Sequence, residues 1–268
     1  MTTTTVVLGA TGKTGSLVVA GVRAAGHRVR AASRSGVVRF DWFDESTWDA
    51  VVTGADAAYL LVPEEALLVA PRFVSFAVER GVRRLVTLTG TGVEELGEKD
   101  FLDMEVAVRD SGAQWTVLRP GWFNQNFDRG VFRDALLSGD LRLPAGDGRT
   151  PFIDVADIAA VAVAALTEDR HHGRTYELTG PRALSFGEAV ATIARVSGRA
   201  LTYTDIPEED YVAAQQAAGA SPDQAKLAGM VLGQVRRGEA EAVSDAVSDV
   251  LGRPAVDFAD YAAVAWKP

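Results

Sequence analysis

The 268-residue chain contains no cysteine and only three histidines. Without thiols there is no disulfide, no thiolate nucleophile and no cysteine-ligated zinc, a composition compatible with a reducing compartment. Long apolar runs are missing too. The longest, Ile158 to Leu166, falls well short of the roughly 20 residues a membrane helix needs, and no basic segment leads into an apolar one at the start, so no signal peptide is expected. Cations are in deficit, with 27 Lys and Arg against 36 Asp and Glu for a net charge of −9. That balance repels phosphate backbones and anionic membranes over most of the surface. The expectation is a soluble cytoplasmic protein, monomer or homodimer, acting on a small molecule, with no nucleic-acid or membrane partner. No Gly-x-Ser-x-Gly elbow supports a serine hydrolase. His171 and His172 lack a third nearby ligand and are expected to be solvated in a turn, so no metal is expected.

What is present begins at Val6, where Val-Val-Leu-Gly-Ala-Thr-Gly-Lys-Thr-Gly runs to Gly15. A β-branched strand feeds three glycines spaced G-x-x-G-x-x-G, and the apolar positions Leu17, Val18, Val19 and Val22 then continue as a helix face. Gly9 suits the tight turn, Gly12 lets phosphates approach the backbone, and Gly15 lets helix and strand pack closely. The amides of Ala10, Thr11, Lys13 and Thr14, with those glycines, would face a dinucleotide's diphosphate at the helix N-terminus. The alternative is a glycine-rich turn with no ligand. An ATP P-loop does not fit, because Lys13 lies between the glycines.

Strand and helix alternate to about residue 180. Strands are expected at His27 to Ala32, Val37 to Phe40, Ala57 to Val62, Arg84 to Leu88 and Gln114 to Leu118. Helices are expected near Ser46 to Val52, Leu67 to Arg80 and Phe101 to Ser111. The strands are short, apolar and without alternation, as in a parallel sheet covered on both faces. This predicts an α/β fold, a Rossmann-like doubly wound parallel sheet with a small, mostly helical C-terminal lobe. Residues 1–180 would form the nucleotide-binding domain and 181–268 a lobe packed on it over the C-terminal strand ends. Further strands are expected at Arg149 to Ile153 and Thr175 to Leu178, with a helix from Asp154 to Leu166 between them. Capping boxes at Ser185 to Glu188 and Ser221 to Gln224 open two more helices, and Ala242 to Val250 reads as one helix face.

Cofactor choice turns on the end of the second strand, where an acidic residue about 20 positions past the glycines would select NAD. Here the segment reads Ser33-Arg34-Ser35. A cation flanked by hydroxyls suits a 2′-phosphate, and Lys13 could add charge, so NADP(H) is favoured over NAD(H). The alternative for Arg34 is a solvated loop arginine.

The Gly-Ala-Thr-Gly-Lys-Thr-Gly turn, Arg34 and the run Leu118-Arg-Pro-Gly-Trp-Phe-Asn-Gln-Asn-Phe127 resemble the NmrA-like branch of the atypical short-chain dehydrogenases. Phe40-Asp41-Trp42-Phe43-Asp44 and Ser46-Thr47-Trp48-Asp49 further resemble the subgroup of ergot-alkaloid reductases, which reduce an iminium ion; bacterial NADPH-quinone oxidoreductases are more distant relatives. The resemblance implies that Asp41 lies near the adenine and that Val62, Pro63, Thr89, Gly90 and Thr91 pass under the cofactor. It places Pro120 beside the nicotinamide, with Trp122, Phe123, Asn124, Gln125 and Asn126 toward the substrate. Trp122 and Phe123 could equally be core, and the three amides a polar loop capping neighbouring backbone.

The chain departs from the commoner Tyr-x-x-x-Lys pattern, in which lysine lowers the pKa of a proton-donating tyrosine. None of its five tyrosines has a lysine four residues on. A lysine found in many relatives four residues before Glu105 is Phe101 here, and Lys99 is out of register. No catalytic residue is therefore assigned. The reaction expected is hydride transfer from NADPH to a small, largely apolar acceptor, a cyclic imine, iminium or quinone. The alternative is a non-catalytic NADP(H) sensor that binds a protein partner.

Overall fold

The computed structural model describes residues 2–267. In chain order its strands are β1 (Thr4–Leu8), β2 (Arg28–Ser33), β3 (Val38–Arg39), β4 (Ala57–Leu61), β5 (Arg84–Leu88), β6 (Gln114–Pro120), β7 (Asp140–Leu143), β8 (Arg149–Thr150), β9 (Arg174–Leu178), β10 (Leu184–Ser185) and β11 (Thr202–Asp205). The helices are α1 (Gly15–Ala24), α2 (Trp48–Val52), α3 (Ala70–Glu79), α4 (Lys99–Arg109), α5 (Asn126–Arg129), α6 (Arg133–Ser138), α7 (Val155–Thr167), α8 (Phe186–Ser197), α9 (Glu208–Ala217), α10 (Pro222–Arg236), α11 (Ala246–Leu251) and α12 (Phe258–Ala265).

Seven strands form one parallel sheet in the order β3-β2-β1-β4-β5-β6-β9. The order reverses beside β1, so the loops after β1 and β4 part around a crevice at the carboxyl ends of the strands. Every residue of β1 is buried, the condition that removes alternation from its sequence. On one face Trp48, Phe73 and Met104 pack with Val6, Leu8, Leu60 and Leu85. On the other, α1 lies close against α7, and a Cβ added at Gly21 would stand 2.7 Å from Val163 Cγ2. Just beyond α11, Arg253 forms an ion pair of 2.7 Å with the fully buried Asp157 of α7.

The chain divides into two compact units, the first comprising 1–120, 155–178 and 246–253, the second 121–154, 179–245 and 254–268. Segment 121–154 belongs to the second unit, and α11 belongs to the first. The second unit is built on an aromatic cluster in which Phe127, Phe152, Phe186 and Phe258 are fully buried. Each such side chain is worth about 1.5–3 kcal/mol relative to exposure. Both expected capping boxes are formed, Ser185 with Glu188 and Ser221 with Gln224. A parallel pair, β7 with β11, was not foreseen.

Three local expectations are corrected. The third strand is only two residues long, because Ser33 to Val37 turns back sharply and pairing is limited to Ala32 and Ser33. The helix expected from Ala242 begins at Ala246. His171 is buried rather than solvated, 1% exposed, with Nδ1 2.9 Å from the Tyr176 hydroxyl.

Candidate functional site

The turn after β1 is shaped by its glycines. Gly9 has φ +68°, and a Cβ there would meet Leu61 Cδ2 at 2.7 Å, so neither conformation nor space admits a side chain. At Gly15 an added Cβ would lie 2.2 Å from the Gly9 carbonyl oxygen, which locks the start of α1 against the turn. The turn closes through Gly12 N–H donating to the Gly9 carbonyl at 2.9 Å. Thr14, the N-cap of α1, makes no side-chain cap; its buried hydroxyl is instead 3.3 Å from the Tyr59 hydroxyl below. The N–H groups of Thr11, Thr14 and Gly15 donate to no backbone acceptor among the described residues. Unused donors at a helix N-terminus, beside a backbone with no side chains in the way, are the chemistry an anionic diphosphate requires.

A groove of about 560 Å³ opens over this turn, within the size range of ligand sites. Of the residues singled out from sequence, Gly9, Thr11, Gly12, Ser33, Arg34, Ser35, Asp41, Val62 and Pro63 line it. Arg34 is exposed and forms no ion pair among the described residues, whereas its neighbour Arg39 lies 3.6 Å from Asp44. The Asp41 carboxylate accepts the Phe43 N–H at 3.0 Å, and its own carbonyl holds the Trp48 indole at 3.0 Å. These bonds fix the Asp41 loop as one wall. Phe40, Trp42, Phe43, Leu61 and Glu65 also line the groove but were not assigned to it from sequence. Phe43, 63% exposed, carried a usable signal, an aromatic next to a strand end with no core to enter. Ala10 lines a neighbouring cavity, while Lys13, Thr14 and Gly15 form the turn itself.

Beyond the groove, Thr89, Gly90 and Thr91 continue β5 at its carboxyl end, where Thr89 N–H bonds the Leu118 carbonyl and Thr91 N–H that of Pro120. The Thr89 hydroxyl donates to Glu105 Oε1 at 2.7 Å. Glu105 is fully buried, and Arg119 and Arg109 both reach it. Burial works against its charge, yet the hydrogen bonds from Arg119 and Thr89 and the nearby arginine charges outweigh burial and hold its pKa below the ordinary carboxylate value. Glu94 and Glu177 also contact Arg119, and burial pushes Glu177 upward despite that arginine. No sequence pattern marked this network, although an arginine in an otherwise apolar strand end was its visible trace.

In the second unit, Trp122 stacks on Phe132 at 5.7 Å and meets Phe186 edge-on. Phe123 bridges to Ile153, Gln125 donates to Asp154 at 2.9 Å, and Asn126 opens α5. Asn124 is fully buried, and neither atom of its carboxamide has a hydrogen-bond partner among the described residues. None of the five tyrosines lines the groove. Tyr59, buried, is pushed up to about 12 by burial. Tyr203 is also pushed up to about 12 by burial, and its hydroxyl is spent on the Gly146 carbonyl at 3.1 Å. Among the described residues no group of His, Asp and Glu is placed to hold a metal, and no helix is long and apolar enough to cross a membrane.

Comparison with known proteins agrees with this architecture. The model of the NmrA-like family matches residues 1–228. An agroclavine dehydrogenase of Claviceps fusiformis is 34% identical over 233 residues, covering 83% of this chain and 81% of the relative. An NAD(P)H azoreductase of Xenophilus azovorans is 32% identical over 235 residues, 83% of this chain and 79% of the relative. Among solved structures, an NADPH-dependent quinone oxidoreductase from Escherichia coli complexed with NADPH superimposes with a TM-score of 0.80 at 24% identity, over 97% of this chain and 99% of the other.

Proposed function

The chain belongs to the NmrA-like family, and from that premise we propose that it is an NADPH-dependent reductase of a small, largely apolar cyclic imine, iminium or quinone. The observation that carries this reading is the glycine turn, whose unused amides open into a groove rimmed by Arg34. The named activities of the relatives, an agroclavine dehydrogenase and an NAD(P)H azoreductase, support a reductase.

In this reading the unused amides of Thr11, Thr14 and Gly15 hold the diphosphate. Arg34, Ser33 and Ser35 hold the 2′-phosphate, and Asp41 and Phe43 border the adenine. Val62, Pro63, Thr89, Gly90, Thr91 and Pro120 support the nicotinamide end, and Trp122 to Asn126 contact the acceptor. NADPH supplies a hydride when bound. An iminium carbon that receives those two electrons neutralises its own nitrogen cation, so no protein acid is needed; a quinone would draw its proton from water. This matches a groove without a tyrosine. The residues then act by positioning, which in favourable cases supplies effective molarities on the order of 10⁵ M or more. A chain acting in the cytoplasm on a small molecule completes the reading.

The test is NADPH oxidation, followed by absorbance, against a panel of cyclic iminium and quinone compounds, beside a titration of cofactor binding. Turnover of either class is expected. Tight NADPH binding with no turnover across the panel would favour a sensor, and failure of both NADPH and NADH to bind would remove the assignment.

A further inference from the structure

A second cavity, of about 710 Å³, runs along the outer edge of β2. It follows from the shortness of β3, which pairs only with Ala32 and Ser33 and leaves Arg28 to Ala31 with no strand on that side. Arg23 enters it from the last turn of α1, and Arg28 and Arg30 enter from β2, while no aspartate or glutamate lines it. In a chain with nine more acids than bases, a groove lined by no carboxylate and by three arginines, Arg28 and Arg30 from the face of β2 that meets α2 and Arg23 from the α1 side, calls for a cause. None of the three forms an ion pair among the described residues, whereas Arg72, Arg80 and Arg119 all do.

Two of the guanidinium groups are also held in place. Arg28 Nε donates to Thr4 Oγ1 at 3.1 Å. Arg30 Nη1 donates to the carbonyls of Val51 and Thr53. Each group retains further N–H donors beyond these bonds, and Arg30 is half-buried, so its charge is partly desolvated without an opposite charge to compensate. The Thr11 and Ser33 residues close the far end of the cavity.

We infer that this groove binds a small phosphate-type polyanion, at a site that adjoins the nucleotide groove at Thr11 and Ser33 but is not lined by Arg34. Fixed guanidinium forks match phosphate oxygens two at a time, and the open strand edge adds backbone polar groups that no neighbour satisfies. The strongly acidic remainder of the surface restricts the occupant to a compact anion rather than a nucleic acid. The competing account is that the arginines only guard an exposed strand edge against pairing with another chain, which needs no ligand.

Calorimetric titration of the full chain with inorganic diphosphate at low ionic strength, repeated with saturating NADPH so that the glycine turn is already occupied, decides between them. Binding is expected to weaken roughly ten-fold in Arg28→Gln/Arg30→Gln, as loss of charge-assisted contacts implies, and to weaken in Arg23→Gln, while Arg34→Ala leaves this site's affinity unchanged. Because Arg30 also tethers the end of α2, Arg23→Gln and Arg28→Gln carry the result should the double variant unfold. No diphosphate binding at millimolar concentration, or isotherms identical in wild type, Arg23→Gln and Arg28→Gln, would overturn the site. Binding abolished by Arg34→Ala alone would likewise overturn it, placing the anion in the nucleotide groove.

Discussion

Arg119 grips the buried Glu105 carboxylate with two hydrogen bonds, Nε to Oε1 at 2.9 Å and Nη2 to Oε2 at 2.7 Å. The Thr89 hydroxyl donates to the same carboxylate, so its proton is committed inward and only its lone pairs remain for other partners. The expected consequence is mechanical as much as electrostatic. Glu105→Gln leaves Arg119 without its buried counter-charge and should cost about 3 kcal/mol or more, read from urea unfolding. Pairing Glu105→Leu with Arg119→Met should recover part of that loss, since the fully buried ion pair is removed together while Arg109 and Glu177 each lose a partner.

Stability should fall on acidification in two stages, and the signs are set by the native-state pKa values. His171 is held below its ordinary 6.5, first by burial and then by the Arg170 charge, with Glu168 opposing and Arg84 adding a further lowering charge. A histidine kept neutral in the native state takes up its proton more readily when unfolded, so its contribution is full above about pH 6.5 and is lost as pH drops through the lower native value. Glu105, also depressed, adds a second loss below its ordinary 4.5. Unfolding curves between pH 7 and pH 5 should flatten in His171→Gln, and an unchanged slope there would assign the acid sensitivity elsewhere.

Arg34→Asp should weaken NADPH binding far more than NADH binding, measured by fluorescence titration. Loss of a charge-assisted phosphate contact of about 1.5–3 kcal/mol corresponds to roughly ten-fold or more in the ratio of the two dissociation constants. Equal ratios before and after would remove Arg34 from the 2′-phosphate.

Gly15→Ala sets a Cβ against the Gly9 carbonyl and Gly12→Ala sets one 3.1 Å from the same oxygen. The first should destabilise by about 1–3 kcal/mol and abolish cofactor binding together, whereas the second should impair binding with a smaller loss of stability. Thermal unfolding beside cofactor titration separates the two effects.

Asn124→Leu should raise the melting temperature of the ligand-free protein, because it removes two buried polar atoms that have no partner among the described residues. If those atoms serve the acceptor, the same variant should raise KM for it. A lower melting temperature would show that the carboxamide is satisfied within the protein.

The strand and helix that carry the glycine turn were legible because local chemistry decides them, a β-branched run and three glycines acting over a few residues, as do the capping boxes that open α8 and α10. The pairing of β7 with β11 was not, since Thr202 meets Asp140 across a long stretch of chain and each strand is too short to show a period. His171 was misjudged for the same reason. Its neighbours Arg170 and Gly173 look like a surface turn, and only the fold brings Tyr176 and Thr116 against it. The Asp41 wall lay between these cases, its residues visible but their convergence on the groove dependent on the Trp48 indole and Thr47 hydroxyl that pin it.

The interleaved path of the chain bears on any attempt to shuffle this scaffold. Residues 155–178 and 246–253 return to the unit that carries the glycine turn, so a single crossover point, wherever it falls, splits one of the two units. A hybrid that borrows the second unit from a relative must exchange three discontinuous pieces at once, which favours drift by scattered substitutions over wholesale recombination.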